Sequence, residues 1–400
     1  MMLQTELFYE ARRVLDPILN RTPMIETKGF ADHCHLYFKA ECLQKTGAFK
    51  LRGAYYKLSC LSEEEKRRGV IACSAGNHAQ GVAFAARDMG IPATICIPEG
   101  APISKIEATR SYGAQVVLVP GVYDDAYAEA VRLQESRNLT FIHPFDDEQI
   151  IAGQGTLGLE ILEQLPDVDV ILVPIGGGGL ISGVAAAVKA LKPECRVIGV
   201  QAAGAPSMFH SLRQQQIVTL PRVDTIADGI KVKTPGKLTY ALCRRYVDEV
   251  VTVTENEIAA AILCVLEKQK LMVEGAGATT VAAAMFGKVD LQGKTVCALL
   301  SGGNLDVTML ERIITHGLAK AGRTASFATI LPDQPKTLAT FLNLVAETGV
   351  NILEVNHERN DLKAPIGSVV VHVLAETRDR AHIDTLYSHL QACGYMVMER

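Results

Sequence analysis

The feature that most constrains this chain is an alternation repeated along most of its length. A short strand, apolar on both faces, meets a glycine-rich or polar break, and an amphipathic helix follows. Strands are predicted at 69–73, 92–97, 115–119, 168–174, 196–200 and 295–300, and helices at 79–89, 104–112, 124–136, 180–191 and 306–316. Strands that are apolar on both faces must be covered on both, which calls for a parallel sheet between helix layers. Two such stretches, about 45–145 and 150–315, predict two α/β lobes with a cleft between them. Ligands of open α/β sheets sit at the carboxyl ends of the strands. The breaks at 74–78, 176–179 and 301–304 each directly follow a predicted strand.

Past residue 322 the pattern changes. Strands at 326–331, 350–356, 368–374 and 395–398, with helices at 337–348 and 380–393, give the order β-α-β-β-α-β. That is the order of a small ferredoxin-like α+β domain. The expected division is a core at 1–322 and a second domain at 323–400.

Charge excludes some partners. Lys plus Arg number 40 and Asp plus Glu 44, a formal charge of −4, so neither nucleic acid nor an anionic membrane surface is expected. No apolar run is long enough to span a bilayer and no basic-then-apolar leader opens the chain, so a cytoplasmic protein is expected. The ten cysteines are scattered, without Cys-x-x-Cys or His/Cys ligand spacing. They are expected as buried thiols, and no metal site is expected.

Four stretches carry possible chemistry. In Thr46-Gly47-Ala48-Phe49-Lys50 a lysine stands among small and apolar neighbours where a helix is expected to begin. Apolar surroundings and a helix N-terminus disfavour an ammonium, and a neutral amine forms Schiff bases with aldehydes. A solvated lysine is the plain alternative. Gly176-Gly177-Gly178-Gly179-Leu180 joins a buried strand to a helix. Consecutive backbone N–H groups at a helix N-terminus make a phosphate cup. Ser74-Ala75-Gly76-Asn77-His78 is either an anion-binding turn or a helix cap supplied by Ser74 or Asn77. Ser301-Gly302-Gly303-Asn304 is a third strand-end turn. Gly153-Gln154-Gly155-Thr156-Leu157-Gly158 matches the dinucleotide fingerprint as a string, but a helix-like segment precedes it, so no dinucleotide site is expected there.

A lysine, a phosphate cup and two polar strand-end turns together meet the needs of a pyridoxal phosphate enzyme. The four stretches, in this order, resemble the fold-type II pyridoxal phosphate enzymes over about residues 5–318. Within them the chain is most similar to the threonine dehydratases (threonine ammonia-lyases), and the tail from about 325 resembles an ACT domain. The resemblance implies a two-lobed core with parallel sheets. Lys50 would carry the cofactor as a Schiff base and serve as the base at Cα. Phe49 would pack by the ring, Asn77 would bond the ring hydroxyl, and Ser301 would face the ring nitrogen. Gly176, Gly177, Gly178, Gly179 and Leu180 would hold the phosphate. Ser74, Ala75, Gly76, Asn77 and His78 would cradle the substrate carboxylate.

The implied reaction is β-elimination from L-threonine, and also from L-serine, within amino-acid metabolism and isoleucine biosynthesis. A serine or 3-hydroxyaspartate dehydratase is the near alternative, and a catalytically silent amino-acid sensor the distant one. A homodimer or homotetramer and an amino-acid effector at the ACT domain are also implied.

Some positions depart from related patterns. Ala75 stands where serine racemases of this fold have a proton-donating serine, so elimination rather than racemisation is expected. Gln201 and Ser207 occupy positions where those enzymes place metal-binding acids. The ACT loop has Lys336 after Pro335, where ACT domains usually have glycine.

Overall fold

The computed structural model describes residues 3–361 and 364–399. The chain forms two compact units, Met1–Val307 and Thr308–Arg400.

The first unit holds two largely parallel sheets and ends at Val307, ahead of the division expected at 322. Its larger sheet has the order β1-β2-β10-β7-β8-β9, with β1 Met24–Glu26, β2 His35–Ala40, β7 Val170–Pro174, β8 Arg196–Ala202, β9 Glu249–Val253 and β10 Thr295–Leu300. All of its pairings are parallel except β1 with β2. The smaller sheet, β5-β4-β3-β6, is wholly parallel and uses β3 Val70–Cys73, β4 Ala93–Pro98, β5 Gln115–Val119 and β6 Thr140–Phe141. Every residue of β3 and β7 is buried, as the two-faced apolar pattern required.

Helices cover both sheets. They are α1 Thr5–Leu15, α2 Lys50–Ser59, α3 Glu63–Arg68, α4 Asn77–Asp88, α5 Ile103–Ser111, α6 Tyr123–Arg137, α7 Glu148–Gln164, α8 Gly179–Leu191, α9 Ser207–Arg213, α10 Lys237–Tyr246, α11 Glu255–Gln269 and α12 Gly275–Met285. The Gly153–Gly158 string lies inside α7 and opens no phosphate loop. Its glycines serve packing instead. A Cβ at Gly153 would stand 2.7 Å from the Arg52 carbonyl of α2, and one at Gly158 would stand 3.0 Å from the Val184 carbonyl of α8. The interior of α7 therefore lets two helix backbones approach closely, at the cost of local helix propensity.

One buried ionic network ties the lobes at the base of α2. Arg52 bonds Glu41 (2.8 Å) and Glu160 (2.6 Å), and Lys39 bonds Glu160 at 2.6 Å. All four side chains are at most 8% exposed. Two acids and two bases leave the cluster neutral, which is the condition for burying charge at all.

The second unit begins within α13 (Val307–Lys320) and continues as β11 Thr324–Pro332, α14 Thr337–Glu347, β12 Asn351–Glu358, β13 Ser368–Glu376, α15 Arg380–Ala392 and β14 Met398–Glu399. Its antiparallel sheet has the order β12-β13-β11-β14, the ferredoxin-like arrangement. Phe327, Phe341, Val371, Leu386 and Leu390 form its core. The loop ahead of α14 holds a surprise: Lys336 adopts φ 75°, the left-handed conformation that a glycine would take there.

Candidate active site

Lys50 is the first residue of α2, as expected. The loop before it is held by the end of β10. Phe49 N–H donates to Ser301 O (3.0 Å), Gly303 N–H donates to Gly47 O (2.8 Å), and Ala48 bridges Gly302 in antiparallel fashion. Gly47 turns at φ 70°, where a Cβ would collide with Asn304. This pairing fixes the lysine against the Ser301 turn. Lys50 Nζ donates to Pro144 O at 2.8 Å and lies 5.3 Å from the centre of the Phe49 ring. Burial lowers its pKa from 10.5 to about 8, outweighing the pull of the Glu274 charge. The neutral form of the amine is thus far more accessible near physiological pH than that of an ordinary lysine.

The Ser74–His78 turn resolves the choice left open by the sequence. Neither Ser74 nor Asn77 caps α4. Gly76 holds the cap position, and the helix has no side-chain cap. Ser74 Oγ instead accepts from Gly76 N–H at 3.1 Å. The start of α4 is therefore an uncapped, positive helix end, suited to an anion. Ala75 and Gly76 are half-buried on this turn. His78 turns inward: its Nε2 bonds Ile142 O at 2.9 Å, and burial lowers its pKa to about 3. Its imidazole is neutral and belongs to the wall behind the turn.

The glycine cup lies between β7 and α8. Gly178 has φ 98°, and α8 begins at Gly179 without a side-chain cap. A Cβ at Gly177 would run into the Phe145 ring, one at Gly179 would stand 2.9 Å from Phe145 Cβ, and one at Gly178 2.8 Å from Thr239 Cβ. Only glycines fit there, and they leave bare backbone at the cup. Leu180 is buried just behind. Thr239 Oγ1 donates to Gly177 O at 2.6 Å, and Asp146 accepts from the first amides of α10.

Ser301 ends the approach from β10 and is 1% exposed. Behind Asn77 lies a group that no sequence pattern singled out. Glu274 accepts from Asn77 Nδ2 through both carboxylate oxygens, at 2.8 and 3.0 Å. Asn304 Nδ2 donates in turn to Asn77 Oδ1 at 2.8 Å. Burial raises the Glu274 pKa, against the lowering effect of Asn77 and Lys50. Its only signal in sequence is an isolated acid opening a run of small residues, Glu274-Gly275-Ala276-Gly277-Ala278. The loop His143-Pro144-Phe145-Asp146-Asp147 was equally silent, yet it links the lysine, the glycine cup, α10 and α7. Gln201, at a metal position of related enzymes, donates through Nε2 to Ile175 O and Ala205 O, and its Oε1 accepts from Phe209 N–H at 2.8 Å.

With this geometry in place, comparison with known proteins is decisive. The pattern of the pyridoxal-phosphate dependent enzymes matches residues 15–302. The chain belongs to that family. It is 50% identical over 398 residues to an L-threonine ammonia-lyase of Thermotoga maritima, covering 99% of both chains. Among solved structures it is similar to a processed threonine deaminase isoform 2 of Solanum lycopersicum (TM-score 0.73, 39% identity, 78% of this chain and 93% of that one). It is also similar to a maize serine racemase (TM-score 0.75, 37% identity, 80% and 99%). The residues present suit the family's cofactor. The glycine cup admits no side chain and leaves bare backbone at a helix N-terminus, and a buried amine with a pKa lowered to about 8 lies 5.3 Å from the centre of the Phe49 ring.

Proposed function

We propose that this chain is an ammonia-lyase that converts L-threonine to 2-oxobutanoate and ammonia, and L-serine to pyruvate and ammonia. The observation that carries the chemistry is the placement of Lys50. Its loop is paired directly with the Ser301 turn, and its amine is bonded to Pro144, whose neighbour Phe145 packs on the glycine cup. The near-full-length identity to an L-threonine ammonia-lyase supports the substrate.

Pyridoxal phosphate, when bound, supplies an aldehyde for amines and a ring that accepts the electron pair left at Cα. Gly176 to Gly179 and the Leu180 amide would hold its phosphate at the N-terminus of α8. Asn77 would donate to the ring hydroxyl, Phe49 would pack beside the ring, and Ser301 would face the ring nitrogen. Ser74 to Gly76, with the first amides of α4, hold the substrate carboxylate. Lys50 in its neutral form takes the Cα proton. Ser301, a hydroxyl and not an acid, does not hold the ring nitrogen protonated, so charge at Cα is relieved by loss of the β-hydroxyl. Ala75 carries no proton to return to Cα, which further favours elimination over racemisation. Serine lacks one methyl of threonine, worth about 1–3 kcal/mol of discrimination in a pocket that fits it.

The region 323–400 we read as an ACT-like regulatory domain that takes an amino-acid effector, in a homodimer or homotetramer. A cytoplasmic setting is supported by ten free cysteines, and no helix among the described residues is long and apolar enough to cross a membrane.

The test is 2-oxo acid release from threonine and serine, with Lys50→Ala beside the parent. Borohydride is expected to fix a chromophore on the Lys50 peptide of the parent. The variant should carry none and lose activity by about 10²–10⁴-fold or more. Deamination by Lys50→Ala at the parent rate would overturn the reading.

A further inference from the structure

Glu274 is a buried carboxylate with an unusual assignment. It sits at the N-cap of α12, yet its side chain makes no bond to that helix. The side chain turns instead to Asn77, and the residue is 8% exposed. Two glycines make room for it: a Cβ at Gly302 would stand 2.6 Å from its Oε1, and one at Gly229 3.0 Å from the same atom. Its backbone N–H is anchored on Gly302 O at 2.9 Å. Burying an acid costs several kcal/mol unless it is well bonded, and among the described residues the side chain that hydrogen-bonds this carboxyl is the amide of Asn77.

The hydrogen bonds define which way that amide faces. Both Glu274 oxygens lie at hydrogen-bond distance from Asn77 Nδ2 (2.8 and 3.0 Å), so the carboxyl group meets the NH₂ end, while Asn304 Nδ2 donates to the Oδ1 end at 2.8 Å. Asn304 is itself held by Thr46 O at 2.8 Å, next to the lysine loop. The flipped amide would set Oδ1 against the carboxylate and Nδ2 against a donor. We infer that Glu274 is a positioning residue, which locks the Asn77 amide so that its second N–H is presented to the ring oxygen of the cofactor. The inference rests on the function proposed above. The family's ring oxygen gains from a donor in its ionised form; without one, its proton stays on oxygen and the chromophore absorbs at shorter wavelength.

The experiment uses the holoenzyme and Glu274→Gln, which keeps shape but replaces a pure acceptor by an amide that tolerates either orientation of Asn77. Expected are a kcat lower by about tenfold, a KM within about twofold, and growth of the shorter-wavelength band of the bound chromophore, with the melting temperature little changed. An unchanged band overturns the inference, whether or not kcat falls, because a merely structural carboxylate would not move it. Should Glu274→Gln fail to fold, Asn304→Ala removes the other anchor and must shift the band in the same direction; an unchanged band there overturns the inference as well. Absence of any Lys50-bound chromophore in the parent would instead sink the proposed function itself.

Discussion

The backbone N–H of Phe49 donates to the carbonyl of Ser301 at 3.0 Å, and this bond makes the position of the neighbouring Lys50 a property of the far end of the core. The Ala48–Gly302 bridge continues the same pairing. Gly302→Ala tests it. The new Cβ would stand 2.6 Å from Glu274 Oε1 and 3.1 Å from Ala48 Cβ, so carboxylate and lysine loop must both give way. Overpacking of this kind costs about 1–3 kcal/mol. The expected result is a lower urea midpoint together with cofactor affinity weakened by about tenfold or more, read by titrating pyridoxal phosphate into the apoenzyme. A variant that matched the parent in both would show that the pairing does not hold the lysine.

The lowered pKa of Lys50 has a direct kinetic consequence. The neutral amine attacks the aldehyde, and its fraction falls about tenfold for each pH unit below the pKa. Burial sets that pKa at about 8. The initial rate of cofactor uptake by apoenzyme is therefore expected to rise with pH, then level off above about 8. Stopped-flow absorbance across the pH range checks this. A rate still climbing steeply through pH 10 would place the lysine in water rather than in the apolar setting seen here.

Arg52 stands two residues beyond Lys50 on α2 and carries the ionic network below the site. Burial opposes ionisation of Glu160, but Arg52 and then Lys39 outweigh it and lower its pKa. A carboxylate held below its unfolded value contributes stability above that value, and the contribution disappears as pH falls through the native pKa. Arg52→Met would remove the ion pair of Glu41 and leave Glu160 with Lys39. Breaking such a buried set typically costs about 3–5 kcal/mol. Urea unfolding at neutral pH should show a loss of that order. The difference between parent and variant should shrink as the solution is made acidic, because the parent then loses what the variant already lacks.

How much of this was legible in the sequence followed from periodicity. Strands such as β5 and β10 stand at their expected residues, because short apolar runs between breaks leave few alternatives. The stretch from 201 to 294 showed no pattern apart from single positions. Its helix α12, Gly-Ala-Gly-Ala-Thr-Thr-Val-Ala-Ala-Ala-Met, is buried on nearly every side and has no polar face to betray a helical repeat. The last strand, expected at 395–398, forms at Met398–Glu399 instead. Within the site, glycine clusters and the lysine were visible because each breaks a local rule of composition. Glu274 and Pro144 were not, since their importance comes from partners distant in sequence: the side chain of Asn77 for one and Lys50 Nζ for the other.

Lys336 offers a test confined to the second unit. Its φ of 75° lies in the left-handed region, where a side chain with Cβ costs about 1–2 kcal/mol and glycine is at ease. It directly precedes α14, which has no side-chain cap to offset that cost. Lys336→Gly should relieve the strain, although glycine also gains freedom in the unfolded chain, so a net stabilisation of about 0.5–1 kcal/mol is expected. Hydrogen exchange of the α14 amides reads this directly, with protection rising by about two- to fivefold where opening is local. Lys336→Val, with a branched Cβ in the same conformation, should lower protection instead. Equal exchange in all three proteins would mean that the loop relaxes freely and that the lysine is under no strain. If the ACT-like reading of residues 323–400 holds, the glycine variant also opens the backbone at the point where ACT domains admit an amino acid. Any response of threonine turnover to isoleucine or valine should then be stronger in Lys336→Gly than in the parent.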